Sequence, residues 1–271
     1  MVKVAFQGER GAFSEDAAVK LFSGDIDVLP CRRLKEVFEL VVQGNVELGV
    51  VPAENSQAGS INETYDLLLA YPLNIFAEVI IKVSHCLMAL PDERQADITT
   101  IYSHPQALAQ CDEFLSKLEV EIIPTYDTAG SAKMIREKKL RNCAAIASKR
   151  AADIYRLEIL AEEIETNVNN YTKFVAISKQ KAKPAQKNKT SVVFATKHEP
   201  GALYRILGIF ATRNINLTKL ESRPSKAKPW EYVFYADFEG HLDGEVYREA
   251  MLELQREATF IKILGSYPQA I

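Results

Sequence analysis

The chain has 271 residues, of which 47% are hydrophobic and 25% charged, and its formal net charge is −3 at pH 7. This length exceeds the common size of one domain and predicts two, while the slightly acidic balance disfavours nucleic-acid binding. No stretch approaches the roughly 20 apolar residues of a membrane helix, and no apolar leader precedes the first strand, so a cytoplasmic protein that does not bind membranes is expected.

Residues 2–178 alternate short apolar runs with helical patterns, which predicts α/β sheets covered by helices on both faces. The predicted strands are Val2–Phe6, Glu47–Val51, Ile75–Val83, Ile98–Tyr102 and Ala144–Ala147. The predicted helices are Glu15–Phe22, Leu34–Gln43, Asn62–Tyr71, Pro105–Leu118 and Ala129–Lys138.

Residues 179–189 contain five lysines and one proline, and no other apolar residue larger than alanine, so they predict a solvated linker. After them come predicted strands Thr190–Thr196, Leu217–Ser222, Trp230–Phe238 and Phe260–Gly265, with helices Gly201–Arg213 and Gly244–Glu257. This order, strand–helix–strand–strand–helix–strand, is that of a split ferredoxin-like unit. The predicted domains are 1–178 and 190–271, joined by 179–189.

A turn that contains glycine, Gly8–Ser14, follows the first strand and opens the first predicted helix. Backbone N–H groups at a helix start can bind an anion, here with Ser14 as N-cap; the alternative is a plain strand-to-helix turn. The spacing differs from the dinucleotide-binding glycine motif, so no nicotinamide cofactor is expected.

Two polar segments follow predicted strands. Pro52–Gly59 presents Asn55 and Ser56, which could bind a carboxylate or hydroxyl beyond a strand end, or stabilise a turn. Ser103–Cys111 opens with a capping box, Ser103 and Gln106.

In the same segment Ser103, Gln106 and Gln110 are spaced to share one helix face, and a helix start with such a face favours a carboxylate. His104 could be an acid or base, although a local hydrogen bond is the favoured role. Asp127–Ser131 carries another N-cap signature, and Thr172 precedes the apolar strand Val175–Ile177 as an ordinary β-former.

No nucleophile elbow, phosphate loop, metal-ligand pair or paired-carboxylate signature occurs in the sequence. The four cysteines are scattered and are expected to be buried free thiols. The residues alone therefore predict a pocket for a small polar anion, without a metal or cofactor.

Four segments in order resemble the prephenate dehydratase family. The family patterns G-x-x-G-[AT]-F-S, P-x-E-N-S-x-x-G, S-H-P-Q-x-x-x-Q-C and N-x-T-R-F correspond to Gly8–Ser14, Pro52–Gly59, Ser103–Cys111 and Asn170–Phe174. The resemblance covers essentially the whole chain and implies the monofunctional enzyme. It implies a carbon–oxygen lyase that converts prephenate to phenylpyruvate in phenylalanine biosynthesis without a cofactor. It also implies a catalytic domain of two α/β lobes, like a periplasmic binding protein, with the site in the cleft.

The resemblance also implies roles for individual residues. Thr172 would donate a hydrogen bond to the leaving hydroxyl, while the catalytic residues that orient the substrate would be Asn55, Ser103 and Gln110. Further substrate-binding residues would be Ser14, Glu54, Ser56, His104, Thr128, Lys173 and Phe174. The family's arginine is Lys173 here, which keeps the charge but lacks the planar fork that grips a carboxylate.

The C-terminal unit resembles an ACT domain. Its implied L-phenylalanine effector site comprises Gly201, Ala202, Leu203, Asn216, Leu217, Glu221, Ser222, Arg223 and Pro224. The resemblance implies feedback inhibition by phenylalanine and a homodimer or homotetramer joined through these domains. The alternatives are an arogenate dehydratase, which uses the same segments, and a non-catalytic binding protein that senses an amino acid.

Overall fold

The computed structural model describes residues 1–23, 26–225 and 232–270. The chain divides into two compact units. The first unit comprises Met1–Thr64 and Val79–Phe174, and the second comprises Tyr65–Glu78 and Val175–Ile271.

The helices of the described residues are α1 (Phe13–Phe22), α2 (Leu34–Gln43), α3 (Asn62–Ala70), α4 (Pro105–Gln110), α5 (Asp112–Leu115), α6 (Thr128–Lys138), α7 (Lys149–Tyr155), α8 (Ala202–Ala211) and α9 (Glu245–Glu257), with a short 3-10 helix at Gln95–Asp97. The strands are β1 (Val2–Gln7), β2 (Ile26–Cys31), β3 (Leu48–Asn55), β4 (Gly59–Ser60), β5 (Asn74–Lys82), β6 (Cys86–Ala89), β7 (Thr100–Ser103), β8 (Glu121–Pro124), β9 (Cys143–Ala147), β10 (Glu158–Ala161), β11 (Tyr171–Ser178), β12 (Asn188–Ala195), β13 (Leu217–Pro224), β14 (Tyr232–Glu239) and β15 (Phe260–Pro268).

The first lobe is built on a sheet of order β2-β1-β3-β11-β5, with β4 paired to β3. Strand β1 runs parallel to β2 and β3. Helix α2 buries Leu34, Val37, Phe38 and Val41, an i, i+3, i+4, i+7 stripe. The helix ends at Gly44, whose φ of 79° lies in the left-handed region that glycine adopts without strain.

The second lobe is built on a sheet of order β10-β6-β9-β7-β8. Strand β7 is parallel to β8 and β9, whereas β6 is antiparallel to β9 and β10. Its core packs Leu87, Ile101 and Ile146 of the sheet against Ala107 and Cys111. Parallel strands of this kind are covered by helices and read as apolar runs, which is why β9 was predictable.

The chain passes between the two sheets twice, through residues 83–85 and again through residues 162–170. Each of the two sheets is the centre of one lobe, so the predicted two-lobed α/β arrangement is confirmed. The lobes touch where the Ser148 hydroxyl donates to the Gly11 carbonyl at 2.6 Å. Gly11 has a φ of 89°, and a Cβ there would lie 2.7 Å from Ala151 Cα, so only glycine permits this approach.

The second unit contains the predicted strand–helix–strand–strand–helix–strand module, with sheet order β13-β14-β12-β15. Val192, Phe194 and Phe238 of the sheet form a core with Ile206 and Leu254 of the two helices. The expected ferredoxin-like topology is therefore confirmed.

Residues 65–78 also belong to the second unit and contact the same module. The rings of Tyr65 and Tyr235 meet edge to face with centroids 5.0 Å apart. The ammonium of Lys262 donates to the carbonyls of Leu68, Leu69 and Tyr71, which lie at the end of α3, at 2.7–2.9 Å. A cation is favourable at a helix C-terminus, where unpaired carbonyls carry partial negative charge.

Several predicted boundaries change. The predicted helix Pro105–Leu118 is interrupted at Cys111 and divides into α4 and α5. Strand β12 begins at Asn188, so Lys189 lies in a strand and is buried. Trp230, the first residue of a predicted strand, lies outside the described residues. The domain limits at 178 and 190 stay a prediction.

The strands β2, β4, β6, β8 and β10 were not predicted. Three of them, β2, β8 and β10, are edge strands of their sheets. An edge strand is half exposed and its sequence need not carry a clear apolar run, which hides it from pattern analysis. Among the described helices, none has the length and apolar character needed to cross a membrane.

Candidate functional site

A cavity of about 160 Å³ is lined by residues from both lobes of the first unit. Seven of the predicted site residues line it, namely Ser14, Asn55, His104, Gln110, Thr128, Thr172 and Phe174. Phe13, Pro52, Ile61, Val83, His85, Gln106 and Ala107 complete the described lining. These described side chains are apolar or neutral polar, so the cavity offers hydrogen bonds rather than formal charges.

The side chain of Asn55 has a fixed orientation at the end of β3. Its Oδ1 accepts the backbone N–H groups of Gln57 and Ala58 at 3.0 and 2.9 Å. The amide nitrogen must then point the other way, where it donates to Asn170 Oδ1 at 2.8 Å and to Thr172 Oγ1 at 2.9 Å. Asn55 is 4% exposed, so this arrangement is held by packing as well as by hydrogen bonds.

Thr172 lies on β11 and is 7% exposed. Its oxygen accepts a hydrogen bond from Asn55 at 2.9 Å. A hydroxyl has one donor and two acceptor positions, so accepting from Asn55 leaves the proton free to donate. Asn55 therefore orients Thr172 as a hydrogen-bond donor at the cavity wall.

His85 lies in the first crossing between the lobes and is 2% exposed. Its Nε2 is 3.0 Å from Gln110 Oε1, and its ring meets Phe13 edge to face. Burial lowers the pKa of His85, and the hydrogen bond to Gln110 and the charge of Glu165 oppose this only in part. The imidazole is thus neutral near pH 7.

His104, and not Ser103, caps α4. The His104 Nδ1 accepts the Gln106 backbone N–H at 3.2 Å, whereas the Ser103 hydroxyl donates to the Ile146 carbonyl at 2.6 Å. The predicted capping box at Ser103 is therefore wrong, because Ser103 is the last residue of β7 and its hydroxyl bridges to the neighbouring strand. Burial also lowers the pKa of His104. The local hydrogen bond expected of His104 is confirmed.

The prediction that Ser14 caps α1 is wrong. The N-cap is Ala12, and Ser14 lies inside the helix against the cavity. The carboxylate of Glu15 accepts the Gly11 N–H at 2.6 Å and pairs with Arg10 at 2.9 Å. A side-chain carboxylate thus accepts an N–H group that an external anion would need, which favours the alternative of a plain turn, while Ser14 itself lines the cavity.

Thr128 reaches the cavity as the first residue of α6. The preceding residue, Asp127, caps this helix by accepting the Gly130 N–H at 2.6 Å. The N-cap signature of this segment is confirmed.

Four predicted site residues are absent from the described cavity lining: Glu54, Ser56, Ser103 and Lys173. The Ser56 hydroxyl donates to the Asn169 carbonyl at 3.1 Å and accepts the Tyr171 N–H at 2.9 Å. Lys173 pairs with Glu54 at 3.0 Å. Alternate residues of a strand point to opposite faces, which explains why Asn55 and Thr172 face the cavity while Glu54 and Lys173 meet each other. A substrate role for these four residues stays a prediction.

The predicted effector residues lie in the second unit. Gly201 has a φ of 79° and precedes α8, which begins at Ala202; Leu217 begins β13, and Glu221–Pro224 end it. The Arg223 guanidinium pairs with Asp66 at 3.1 Å and lies over the ring of Tyr235. Lys219 pairs with Glu221 at 3.2 Å.

His85 is the main cavity residue that the sequence patterns did not identify. It lies in the short segment Val83–Leu87, where it is the one ionisable side chain besides the thiol of Cys86. A buried titratable residue next to a cavity is a signal of a functional site, although burial itself is invisible in the sequence. Gln106 was noticed for its position on α4 and also lines the cavity.

Comparisons with known proteins agree on the family. The family model for prephenate dehydratase matches residues 4–182, and the ACT domain model matches residues 190–254. An Arabidopsis thaliana protein named arogenate dehydratase/prephenate dehydratase 2, chloroplastic, is 42% identical, over 98% of this chain and 73% of its own length.

Two solved structures extend the likeness to the fold. The prephenate dehydratase of Arthrobacter aurescens, solved in complex with L-Phe, is 31% identical with a TM-score of 0.90 and covers 98% of this chain and 90% of its own. A protein described as GqqA, a novel type of quorum quenching acylase, is 34% identical with a TM-score of 0.88 and covers 98% of each chain. The chain belongs to the prephenate dehydratase family of lyases and carries a C-terminal ACT domain.

Proposed function

We propose that this chain is a prephenate dehydratase that binds its substrate in the cavity of the first unit. The observation that carries the proposal is the Asn55–Thr172 pair, in which an amide fixed by two backbone N–H groups orients a buried hydroxyl. In this reaction the ring loses a carboxylate as carbon dioxide and a hydroxide, and becomes aromatic. The electrons of the broken carbon–carbon bond form the new ring double bond, and the hydroxide leaves with a proton as water.

Thr172 assists the departure of the hydroxide. Its hydroxyl is a weak acid, so its contribution comes from a hydrogen bond that strengthens as negative charge develops on the leaving oxygen. Groups that donate in this way at the right place contribute roughly 10²–10⁴-fold. Gln110 and His104 supply further polar groups that hold the substrate, with Ser14 and Thr128 at the helix starts and Phe174 against the ring.

Both candidate substrates carry two carboxylates, so the neutral lining can distinguish them only through the one group at which they differ. Arogenate carries an ammonium group where prephenate has a keto oxygen. The described cavity side chains include no carboxylate that could pair with an ammonium, and a buried unpaired charge is costly. A keto oxygen needs only a donor, which neutral amides and hydroxyls provide.

Arogenate is the second candidate substrate, because the Arabidopsis thaliana relative is named for both substrates. The experiment is to incubate the purified protein with prephenate and to follow phenylpyruvate by its absorbance, then to repeat it with arogenate and follow phenylalanine. A higher kcat/KM for prephenate is expected. A higher value for arogenate would reverse the assignment, and turnover of neither would support a binding protein that senses an amino acid. The same preparation is assayed for acylase activity, because one solved relative is named as an acylase.

We also propose feedback inhibition by L-phenylalanine at the ACT domain. The Arthrobacter aurescens relative was solved with L-Phe, which supports this effector. The effector residues are those of the α8 start, Gly201–Leu203, together with Asn216, Leu217 and Glu221–Pro224 of β13 and the turn before it. Inhibition requires that phenylalanine bind two states of the enzyme with different affinity.

The ACT domains are expected to join at least two chains. Strand β13 is an edge strand of its sheet, and Leu220 on it is 42% exposed. An exposed edge needs a partner or protection. Light scattering with and without phenylalanine should show a dimer or tetramer that the ligand tightens by mass action. A strict monomer that phenylalanine still inhibits would contradict this assembly. A cytoplasmic location stays a prediction, which cell fractionation tests.

A further inference from the structure

We propose that His85 is a positioning residue that turns the amide N–H groups of Gln110, and not its oxygen, toward the substrate. This inference rests on the proposed dehydratase site, since both side chains line that cavity. It assigns a task to the buried histidine of the first crossing between the lobes.

The position of the proton on His85 follows from its surroundings. The Nε2 atom is 3.0 Å from Gln110 Oε1, whereas Nδ1 is buried without a hydrogen-bond partner among the described residues. Orphaned buried N–H groups are rare in proteins, and orphaned acceptors are less so. The proton therefore lies on Nε2, which donates to Gln110 Oε1.

Residues 164–166 hold both partners of this hydrogen bond in place. The Ile164 N–H donates to the His85 carbonyl at 3.1 Å, and the Thr166 N–H donates to the Gln110 carbonyl at 2.8 Å. Between them, Glu165 Oε2 accepts the His85 backbone N–H at 2.9 Å. One short segment thus fixes the backbones of His85 and Gln110 relative to each other.

The direction of the Gln110 amide matters because of the substrate's chemistry. Prephenate presents two carboxylates, a keto oxygen and a hydroxyl, which are chiefly hydrogen-bond acceptors. An amide turned by half a revolution would place its oxygen against one of these oxygens and repel it. His85 prevents this turn by engaging the Gln110 oxygen, so the amide N–H groups remain for the ligand.

The charge state of His85 suits this task. Burial lowers its pKa, and the nearby carboxylate of Glu165 opposes the effect only in part, so the ring is a neutral donor near pH 7. Phe13 packs edge to face on the ring and holds its plane.

The test is a double-mutant cycle with prephenate as substrate. His85→Leu removes the donor and is expected to lower kcat/KM about tenfold, the worth of a hydrogen bond of about 1.4 kcal/mol. His85→Gln restores a donor and should stay within about threefold of the wild type. In a Gln110→Leu background, His85→Leu should cause no further loss, because the two residues act as one unit.

His104→Leu is the matched control, since His104 also lines the cavity but bonds to the Gln106 backbone instead. Its loss should be the same with and without Gln110→Leu. Equal losses from His85→Leu in both backgrounds, or no rescue by His85→Gln, would overturn the proposal. A wild-type protein that turns over neither prephenate nor arogenate would overturn the proposed function and this inference together.

A second measurement does not depend on the variants or on activity. The ¹⁵N chemical shifts of the His85 ring in the unliganded wild-type protein report which nitrogen carries the proton. Protonation at Nε2 is expected. Protonation at Nδ1 would contradict the proposal even if the enzyme dehydrates prephenate.

Discussion

Buried polar side chains in the second unit are bonded to one another, whereas several of those in the first unit lie beside a cavity with bonding positions unused. In the second unit Lys189 donates to both oxygens of Glu78 at 2.7 and 2.9 Å. Ser191 bonds to Asp237 at 2.6 Å and to Tyr267 at 2.7 Å. Each of these buried charges and hydroxyls has its partner within the unit.

Most of the buried polar atoms that lack a hydrogen-bond partner among the described residues lie in the first unit. Among the described residues, the buried polar atoms without a partner are His85 Nδ1, Glu165 Oε1, Asn170 Nδ2 and, in the second unit, His241 Nε2. The first three belong to side chains that line the cavity or touch its lining. Unsatisfied buried groups destabilise a fold, so their clustering indicates a site that favours a ligand over stability.

The largest expected effect is on catalysis. Thr172→Ala should lower kcat with prephenate by about 10²–10⁴-fold, because it removes the hydroxyl proton that assists the leaving group. The free energy of unfolding should fall by only about 1 kcal/mol, the usual effect of a single substitution. Steady-state kinetics and urea unfolding measure the two quantities. Thr172→Ser, which keeps the hydroxyl, is the control, and near wild-type kcat in Thr172→Ala would refute the role of Thr172.

In the second unit the large effect is expected on stability and not on catalysis. Lys189→Met leaves Glu78 as an uncompensated buried charge and should lower the free energy of unfolding by about 3–5 kcal/mol. The double variant Lys189→Met/Glu78→Leu should recover most of this loss, because it buries no charge. Chemical unfolding checks both. If Lys189→Met unfolds like the wild type, the Lys189–Glu78 ion pair does not stabilise the second unit.

Asn55→Asp separates orientation from packing in the first unit. The new side chain keeps an oxygen for the N–H groups of Gln57 and Ala58 but loses the donor to Thr172. We expect kcat to fall about 10²-fold, as for removal of one positioned donor at an active site. Circular dichroism and unfolding should show an intact fold. Activity close to that of the wild type would mean that Thr172 needs no orientation by Asn55.

Lys173→Arg should have the smallest effect. Lys173 pairs with Glu54 at 3.0 Å and is absent from the described cavity lining. An exposed or half-exposed ion pair is worth about 0–1 kcal/mol, so kcat/KM should stay within about threefold. Arginine can also make the bidentate pair with a carboxylate. A loss of activity comparable to that of Thr172→Ala would place Lys173 at the substrate.

The sequence predicted those helices and strands whose buried apolar residues recur at a regular spacing. Helix α2 was predicted at its observed limits, Leu34–Gln43, because its apolar stripe, its capping residues and Gly44 agree. The module of the second unit was predicted in its element order for the same reason. The edge strands β2 and β8 were missed, because most of their residues are exposed or half exposed and leave little apolar pattern.

The motif segments located the cavity but not the direction of each side chain. Strand β3 extends to Asn55, beyond the predicted Val51, since it pairs with β4 through Glu54 and Asn55. That extension decides which side chains face the cavity, and Ser103 is turned away by its bond to Ile146. The membership of residues 65–78 in the second unit depends on long-range packing, which no local pattern in the sequence reports.

The contrast between the two units is tested most directly by an NMR titration with prephenate of the Thr172→Ala protein, which should consume its substrate about 10²–10⁴-fold more slowly than the wild type. We expect the largest chemical-shift changes in the Gln110 side-chain amide and the His85 ring, with much smaller changes at Lys189 and Ser191. Largest shifts at Lys189 and Ser191, with Gln110 and His85 unmoved, would contradict this expectation.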